Sequence, residues 1–107
     1  MGLTFKENCP DIRNSLSFRL VDKLSTITMT THTYDPWIDK SILRKKYRKN
    51  HRSIISEKNY YNVIILAVAH NEFKSLGHKK IKNFATTKSI IYDLKYILDP
   101  RDVDGRM

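Results

Sequence analysis

The alternation of hydrophobic and polar residues predicts helices and strands in turn along this chain. The apolar positions of residues 15–24 follow helical spacing and predict an amphipathic helix, with Asn14 or Ser15 as its N-cap. Residues 27–34 are rich in β-branched side chains and end at Asp35 and Pro36, which predicts a strand that ends in a turn. Residues 38–48 predict a second helix with a strongly basic surface.

The second half of the chain contains the most apolar run. Residues 61–69 are nearly continuous in apolar side chains, which predicts a central strand covered on both faces. His70 then opens a short helix that breaks at Gly77, and residues 79–84 add another helical turn. Residues 89–94 predict a third strand, and residues 99–107 a polar tail.

This order of elements predicts an α/β domain with three layers. Strands that alternate with helices imply right-handed crossovers and a parallel sheet between two layers of helices. Residues 1–5 have the pattern of the last part of a further strand, so we expect the first strand to be truncated. Doubly wound sheets bind ligands at the carboxyl ends of their strands, which makes residues 6–14 the loop where a site is expected.

The length and composition indicate one small domain that covers residues 1–107. A chain of 107 residues buries roughly 65% of its unfolded surface, too little for two lobes with a cleft between them. Its three glycines cannot supply a glycine-rich dinucleotide fingerprint or a P-loop. Cys9 is the single cysteine, and no apolar run approaches the ~20 residues that cross a bilayer. We therefore expect a soluble cytoplasmic protein with no membrane partner.

The chain is basic, with 20 Lys and Arg against 11 Asp and Glu. A dense basic run begins at Lys40 and ends at Arg52, with Tyr47 and His51 within it. Interleaved basic and aromatic residues are typical of surfaces that bind nucleic acid or an acidic partner. The solvated outer face of a crossover helix gives the same pattern and is our leading interpretation. Binding of nucleic acid or an acidic partner through Lys40 to Arg52 is kept as the alternative function.

The sequence gives little support for a metal site or for a nucleophilic catalytic residue. The four histidines are far apart, and one cysteine does not complete a zinc site, so no metal is expected. His70 follows the predicted central strand, where a helix N-cap or a structural hydrogen bond is favoured over a ligand role. No histidine adjoins Cys9 as a base, so we expect an inert thiol and assign no catalytic residue.

The loop between the first strand and the first helix carries the clearest candidate chemistry. Lys6 and Arg13 lie close to the positive N-terminus of the predicted helix, a combination that suits a diphosphate or a carboxylate. A capped loop in which Asp11 pairs with Arg13 explains the same residues. The residues alone leave both interpretations open.

This loop also resembles a known family. Residues 2–15, Gly-Leu-Thr-Phe-Lys-Glu-Asn-Cys-Pro-Asp-Ile-Arg-Asn-Ser, resemble the segment that opens the C-terminal UDP-binding domain of the UDP-glucose/GDP-mannose dehydrogenase family. They are most similar to the bacterial UDP-N-acetylglucosamine and UDP-N-acetylmannosamine 6-dehydrogenases, including the Vi-antigen type. Three later segments agree in order and spacing: residues 34–37 (Tyr-Asp-Pro-Trp), residues 63–70 (Val-Ile-Ile-Leu-Ala-Val-Ala-His), and residues 92–95 followed by 104–106 (Asp-Gly-Arg).

The resemblance implies a Rossmann-like fold and a role in UDP-sugar oxidation. Members of the family oxidise the C6 hydroxyl of a nucleotide sugar to a uronate, for polysaccharide precursors, in two NAD-dependent steps through a cysteine thioester. Carried over by position, Phe5 and Lys6 contact the UDP-sugar, Arg106 binds it from the tail, and Arg13 reaches toward NAD held by a partner domain. Cys9 belongs to a different motif from the catalytic cysteine.

The resemblance also implies what this chain needs from elsewhere. The NAD fingerprint and the catalytic cysteine are missing from these residues, so we expect that the chain alone neither binds NAD tightly nor turns over. Its expected partners are a UDP-sugar and the NAD-binding and catalytic domains, in cis or as a separate chain. A third hypothesis is an assembly role, because an unfilled strand position at the truncated first strand invites pairing with another chain.

Overall fold

Five parallel strands and three helices follow one another in the computed structural model, which describes residues 1–28 and 30–106. The strands are β1 (Thr33–Tyr34), β2 (His51–Arg52), β3 (Tyr61–Leu66), β4 (Ala85–Asp93) and β5 (Gly105–Arg106). The helices are α1 (Ser17–Ile27), α2 (Lys45–Arg48) and α3 (Asn71–Asn83), with 3₁₀ turns at Lys40–Ile42 and Pro100–Asp102. No helix in this described part of the chain has the length and apolar character to cross a membrane.

The opening segment, residues 1–3, joins two small sheets into one. β1 pairs with β2, and β3, β4 and β5 pair in that order, all in parallel. The amide of Gly2 donates to the carbonyl of Tyr34 at 2.8 Å, the nitrogen of Met1 donates to the carbonyl of Ile65 at 2.6 Å, and the amide of Ala67 donates to the carbonyl of Met1 at 2.8 Å. The order is therefore β2, β1, opening segment, β3, β4, β5. The predicted parallel sheet is confirmed.

Helices lie on both faces of this sheet. Successive residues of a strand point to opposite faces, so Ile64 and Leu66 face one layer and Val63 and Ile65 the other. Ile64 and Leu66 are buried in a cluster with Ile81 of α3. The odd-numbered residues of β3 face a groove lined on its other side by apolar residues of α1. The three-layer, Rossmann-like α/β prediction is confirmed.

Gly2 allows the opening segment to pack closely against the chain that follows β3. Its φ is +100°, and a Cβ built on it would lie 2.7 Å from the Cβ of Val68. A φ in this region is accessible to glycine at little cost and is strained for other residues. The opening segment therefore needs glycine here to reach its place between β1 and β3.

The boundaries predicted for the first helix and the next strand are wrong. The helix runs over Ser17–Ile27 rather than residues 15–24, and its N-cap is Leu16 rather than Asn14 or Ser15. Of the strand predicted for residues 27–34, Met29 lies outside the described residues, and only Thr33–Tyr34 of the others form a strand. The hydroxyls of Ser25 and Thr26 donate to carbonyls three or four residues earlier, at 2.8 and 2.6 Å. These bonds are compatible with the last turns of α1, which extend to Ile27, and Thr28 then takes an extended conformation as the C-cap.

The helix predicted for residues 38–48 is also wrong. The segment forms a 3₁₀ turn at Lys40–Ile42 and one turn of α-helix at Lys45–Arg48, with Leu43 extended between them. The side chain of Leu43 is buried, and Arg48 Nε donates to the carbonyl of Leu43 at 2.8 Å. Because Leu43 is buried in an extended conformation, its carbonyl is not part of a continuous series of helical hydrogen bonds. Arg48 donates the hydrogen bond that this carbonyl accepts.

The later elements agree better with the prediction. The break at Gly77 is confirmed, because its φ of +74° separates two helical parts of α3. The strand predicted for residues 61–69 is shorter, and its amino half is not covered, since Asn62 and Val63 are exposed. The strand predicted for residues 89–94 begins earlier, at residue 85. The predicted polar tail contains a 3₁₀ turn and β5, and its last residue, Met107, lies outside the described residues.

Candidate functional site

The carboxyl ends of the strands meet along one edge of the sheet. The hydrogen bonds of Met1 set it opposite Leu66, and the strand registers align Leu66 with Asp93 and Asp93 with Arg106. Each of these residues is at or near the end of its strand, and the chain then turns into a loop. The loop of residues 4–15, called the front loop below, leaves the sheet at this edge, as expected from the sequence.

Asp35, directly after β1, is the buried anchor of the front loop. Asp35 as a whole residue is 2% exposed. Oδ2 accepts the backbone amides of Leu3 at 2.7 Å and Thr4 at 3.1 Å, and Oδ1 accepts the amide of Trp37 at 2.8 Å. One carboxylate thereby fixes the point where the opening segment becomes the front loop.

The environment of Asp35 favours its ionised form. Burial by itself raises the pKa of the Asp35 carboxyl, but hydrogen bonds from His70, Leu3 and Trp37 oppose it and hold the pKa below its usual value. The side chain of Asp35 therefore remains a carboxylate at neutral pH. Its two oxygens can together accept the hydrogen bonds of all four donors.

His70, which follows β3, connects Asp35 to the far side of the front loop. The amide of Asn8 donates to His70 Nδ1 at 2.9 Å, so Nδ1 is an acceptor and the ring hydrogen is on Nε2. Nε2 lies 3.0 Å from Asp35 Oδ2 and 3.1 Å from Thr4 Oγ1. Asn8 Oδ1 in turn accepts the first amide of α3, from Asn71, at 2.9 Å. The structural hydrogen bond predicted for His70 is confirmed, as is its position as the N-cap residue of α3.

Further hydrogen bonds close the front loop on itself. The hydroxyl of Thr4 donates to the carbonyl of Lys6 at 2.9 Å, and the amide of Phe5 donates to the carbonyl of Asp11 at 2.7 Å. Asn8 and Asn14 take left-handed backbone conformations that asparagine tolerates. The backbone of the front loop is thus held at several points by the sheet and by itself.

Phe5 and Lys6 combine a fixed backbone with an exposed side chain. Phe5 is 57% exposed although its amide is bonded, and Lys6 is exposed although its carbonyl is bonded. An aromatic ring and an ammonium group therefore project from the carboxyl edge. These are the two residues for which the resemblance predicted contacts to a UDP-sugar.

Arg13 is at the surface and paired with Asp11. Arg13 Nε donates to Asp11 Oδ1 at 3.0 Å, and Arg13 Nη2 donates to Asp11 Oδ2 at 2.9 Å. The hydrogen bonds from Arg13 lower the pKa of Asp11 to about 2. The guanidinium is 85% exposed, so the plainer interpretation of the loop, a pair between Asp11 and Arg13, is present in the structure.

Arg106 lies at the same edge but on the outermost strand. Three strand spacings separate it from the opening segment, or roughly 14 Å at roughly 4.8 Å each. Its guanidinium carbon is 4.0 Å from the ring centroid of Tyr96, a cation–π contact. Among the described residues, no acceptor bonds the buried Nε of Arg106. The structure does not bring Arg106 together with Phe5 or Lys6.

The basic run from Lys40 to Arg52 does not form the outward aromatic surface of the alternative function. Tyr47 packs on Phe18 of α1 with ring centroids 4.8 Å apart, and its hydroxyl donates to Asp22 at 3.0 Å. His51 is buried and bonds Thr33 at 2.8 Å. The two aromatic rings that could stack on bases are therefore engaged within the domain. No cluster of three potential metal ligands occurs in residues 1–28 and 30–106.

Asp35 and Asn8 are the site residues that sequence reasoning missed. The sequence places Asp35 in a turn before Pro36 and in the Tyr-Asp-Pro-Trp segment of the resemblance, and Asn8 in the segment of residues 2–15, but it indicates a role for neither. A lone aspartate at the end of a strand and directly before a proline was the available signal for Asp35. Nothing local marked Asn8, because its partners are more than 60 residues away.

Comparison with known proteins agrees with this geometry. A model of the UDP-glucose/GDP-mannose dehydrogenase family, UDP binding domain, matches residues 1–100. The chain is 38% identical to UDP-N-acetyl-D-glucosamine 6-dehydrogenase of Salmonella typhi and 39% identical to that of Pseudomonas aeruginosa, in each case over all of this chain and 25% of the relative. The solved structure of UDP-D-ManNAc dehydrogenase from Pyrococcus horikoshii matches with a TM-score of 0.73 at 27% identity, over 98% of this chain and 23% of that one.

The chain belongs to the UDP-glucose/GDP-mannose dehydrogenase family and corresponds to its UDP-binding domain. The resemblance found in the sequence is confirmed. The chain spans about a quarter of the length of the curated relatives it matches. The roles given to Phe5, Lys6, Arg13 and Arg106 stay predictions.

Proposed function

We propose that residues 1–107 form one domain that binds the UDP part of a UDP-sugar at the carboxyl edge of the sheet. In this proposal the domain serves an NAD-dependent nucleotide-sugar 6-dehydrogenase, which oxidises the C6 hydroxyl of the sugar to a uronate in the cytoplasm. The NAD-binding and catalytic domains are supplied in cis or by a separate chain. The observation that carries the proposal is the anchored front loop, which exposes Phe5 and Lys6.

The buried network makes the front loop suitable for binding a ligand. Asp35 and His70 hold the loop from two separate parts of the chain, and the amide of Asn8 is the loop group that bonds to His70. A loop that is ordered before the ligand arrives loses less conformational entropy on binding. In the proposal, Asp35 and His70 are positioning residues, while Phe5 and Lys6 touch the ligand. Their binding energy, remote from C6, orients the sugar for the reaction.

Arg106 would hold the ligand from the other side. The contact with Tyr96 orients the guanidinium, and its buried Nε has a donor to offer. Arginine forms paired hydrogen bonds with phosphate or carboxylate oxygens. Lys6 and Arg106 together would neutralise the charge of a diphosphate or of the developing uronate.

NAD does not fit this chain as a ligand held by its residues alone. The chain has no glycine-rich turn for a pyrophosphate, and Arg13 is a single exposed cation in a surface ion pair. Hydride transfer would come from NAD bound elsewhere in the enzyme. In the proposal, Arg13 only extends toward that cofactor. To do so, its guanidinium leaves the ion pair with Asp11 and pairs with an anionic group of the cofactor.

Calorimetric titration with UDP tests the proposal on the isolated chain. We expect Lys6→Ala and Arg106→Ala each to weaken the binding of UDP by about tenfold or more, because a hydrogen bond to a charged group contributes about 1.5–3 kcal/mol.

Lys88→Ala is the matched control, since Lys88 is an exposed lysine in the amino half of β4, away from the carboxyl edge. Its affinity for UDP should equal that of the unmodified chain. Equal affinities in all three variants, or no binding of UDP at all, would overturn the proposal.

A further inference from the structure

The chain contains an aspartate followed two residues later by an arginine at three places, residues 11–13, 99–101 and 104–106. At the first two places the side chains pair with each other. Arg13 and Arg101 each donate through Nε and Nη2 to the two oxygens of that aspartate, at 2.9 to 3.1 Å. The amide of the same arginine also donates to the aspartate, at 2.9 Å in both places, and this tight turn brings the two side chains together.

Residues 104–106 have a different arrangement because they lead into a strand. Asp104 Oδ2 accepts the amide of Ile91 at 2.8 Å, and the amide of Asp104 donates to the carbonyl of Ile91, also at 2.8 Å. Arg106 then continues parallel to β4 as part of β5. An extended strand does not make the turn that joins the other two pairs. The carboxylate of Asp104 is thus bonded to β4.

The guanidinium of Arg106 contacts an aromatic ring instead of an aspartate. Its carbon lies 4.0 Å from the ring centroid of Tyr96. The face of an aromatic ring attracts a guanidinium without accepting the paired hydrogen bonds that a carboxylate accepts, so N–H donors remain available for an anion. Nε of Arg106 is one such donor, since it is buried and no acceptor in residues 1–28 and 30–106 bonds it.

The backbone of Tyr96 is held in a conformation that is costly for a tyrosine. Its φ is +56°, in the left-handed region that bulky side chains rarely adopt. The buried Asp93 fixes the loop on both sides of Tyr96, because its carboxylate accepts the amides of Lys95 at 3.2 Å and Leu98 at 2.8 Å. Tyr96 remains 58% exposed, so burial of the ring in a core does not account for its position. Strained residues of this kind are often found at functional sites.

Asp99 is the nearby carboxylate that could compete for Arg106. Hydrogen bonds from Arg101 lower the pKa of Asp99 to about 2, and the charge of Arg106 acts in the same direction, so Arg106 is within electrostatic range of Asp99. Arg101 bonds to both oxygens of Asp99. With Asp99 paired to Arg101 and Arg106 held on Tyr96, the charge of Arg106 is available to an anion from outside the domain.

We propose that Tyr96 is a positioning residue that holds the Arg106 guanidinium ready for the diphosphate of UDP and away from the aspartates of the chain. Tyr96 acts through Arg106 and does not touch the ligand. An arginine that is already held in place loses less side-chain entropy when the anion binds. This inference rests on the proposed function, which assigns Arg106 to the ligand.

A double-mutant cycle, measured by calorimetric titration of the full chain with UDP, tests the inference. Tyr96→Asn removes the ring and introduces a residue that tolerates the left-handed backbone. It should weaken the binding of UDP about threefold, as expected for the loss of an exposed cation–π contact. In a chain that already carries Arg106→Ala, the same substitution should have no further effect on the affinity.

Three further measurements separate positioning from a structural role. Tyr96→Phe keeps the ring and should restore the affinity of the unmodified chain. Tyr60→Asn is the matched control, because Tyr60 is 50% exposed and directly precedes β3, at the amino side of the sheet, and its affinity for UDP should be unchanged. The urea midpoint of Tyr96→Asn should equal or exceed that of the unmodified chain, since the substitution relieves backbone strain.

The outcomes distinguish this inference from the proposed function. If Arg106→Ala weakens the binding of UDP and Tyr96→Asn does not, the inference is wrong and the proposed function stands. If the loss caused by Tyr96→Asn persists in the Arg106→Ala chain, or also occurs in Tyr96→Phe, Tyr96 does not act through Arg106 by its ring and the inference is again wrong. If no chain binds UDP, the proposed function and the inference both fail.

Discussion

The same strand position is organised very differently at its two ends. At the carboxyl end, residues 1–4 are bonded to Asp35, Tyr34 and Ile65, and the buried His70 ties them to the front loop. At the amino end, β1 and β3 are separated by an open apolar groove. The backbone at the carboxyl end, which is proposed to bind nucleotide, is therefore held in place by many hydrogen bonds. The amino end instead has exposed backbone groups and apolar side chains. The hydrogen bonds that fix the front loop and the open apolar groove therefore lie at opposite ends of this strand position.

The largest effect on stability is expected from Asp35→Ala at the carboxyl end. The change leaves buried donors of Leu3, Trp37 and His70 without their acceptor, which costs on the order of 4 kcal/mol in the free energy of unfolding. Urea denaturation measures this loss. Asp39→Ala is the control: Asp39 is exposed and accepts the amide of Ser41, so its loss should cost about 1 kcal/mol. Similar losses in the two variants would contradict the anchoring role of Asp35.

A change of pH is expected to have an intermediate effect on the free energy of unfolding, through protonation of the Asp35 carboxylate. Its pKa is lowered in the folded protein, so the ionised carboxylate stabilises the fold fully above the unfolded pKa of about 3.9. That stabilisation is lost as the pH falls through the folded pKa, below this value. The difference in free energy of unfolding between the unmodified chain and Asp35→Asn should be constant from pH 5 to about 7 and shrink below about pH 4. A difference that grows on acidification would contradict the assignment.

The smallest effect is expected at the groove. Leu24 faces an open space, so Leu24→Ala should lower the free energy of unfolding by about 1 kcal/mol or less. Leu66→Ala, in the fully buried and paired part of β3, should cost about 2–5 kcal/mol. Urea denaturation of both variants compares the two ends directly. A cost for Leu24→Ala as large as that for Leu66→Ala would mean that the groove is closed in solution.

Patterns in the sequence predicted the strands of the sheet better than the segments that connect them. The apolar run that became β3 and the glycine break in α3 were evident in the sequence, because strong periodicity and glycine act locally. Of the strand predicted for residues 27–34, Ile27 ends α1, Thr28 is its C-cap, and only Thr33–Tyr34 form a strand among the described residues. The helix predicted for residues 38–48 failed because burial of Leu43 interrupted it.

The residues of the candidate site likewise fall into two groups, those that the sequence indicated and those that it did not. Phe5, Lys6 and Arg106 were found because they stand in motifs that a family resemblance makes visible. Apart from the amide of Trp37, the partners of Asp35 and Asn8 are 31 to 63 residues away, so these bonds are visible only in the fold. The residues that are proposed to touch a ligand could be named from the sequence, whereas the residues that hold the front loop in place could not.

Backbone chemical shifts of the isotopically labelled chain during a UDP titration test the central claim most directly. The account predicts saturable shifts at Phe5, Lys6 and Arg106, with the amides of α2 and of Val63 unchanged. Shifts centred on α2 or on the groove, or no saturable shift at the carboxyl edge, would contradict it.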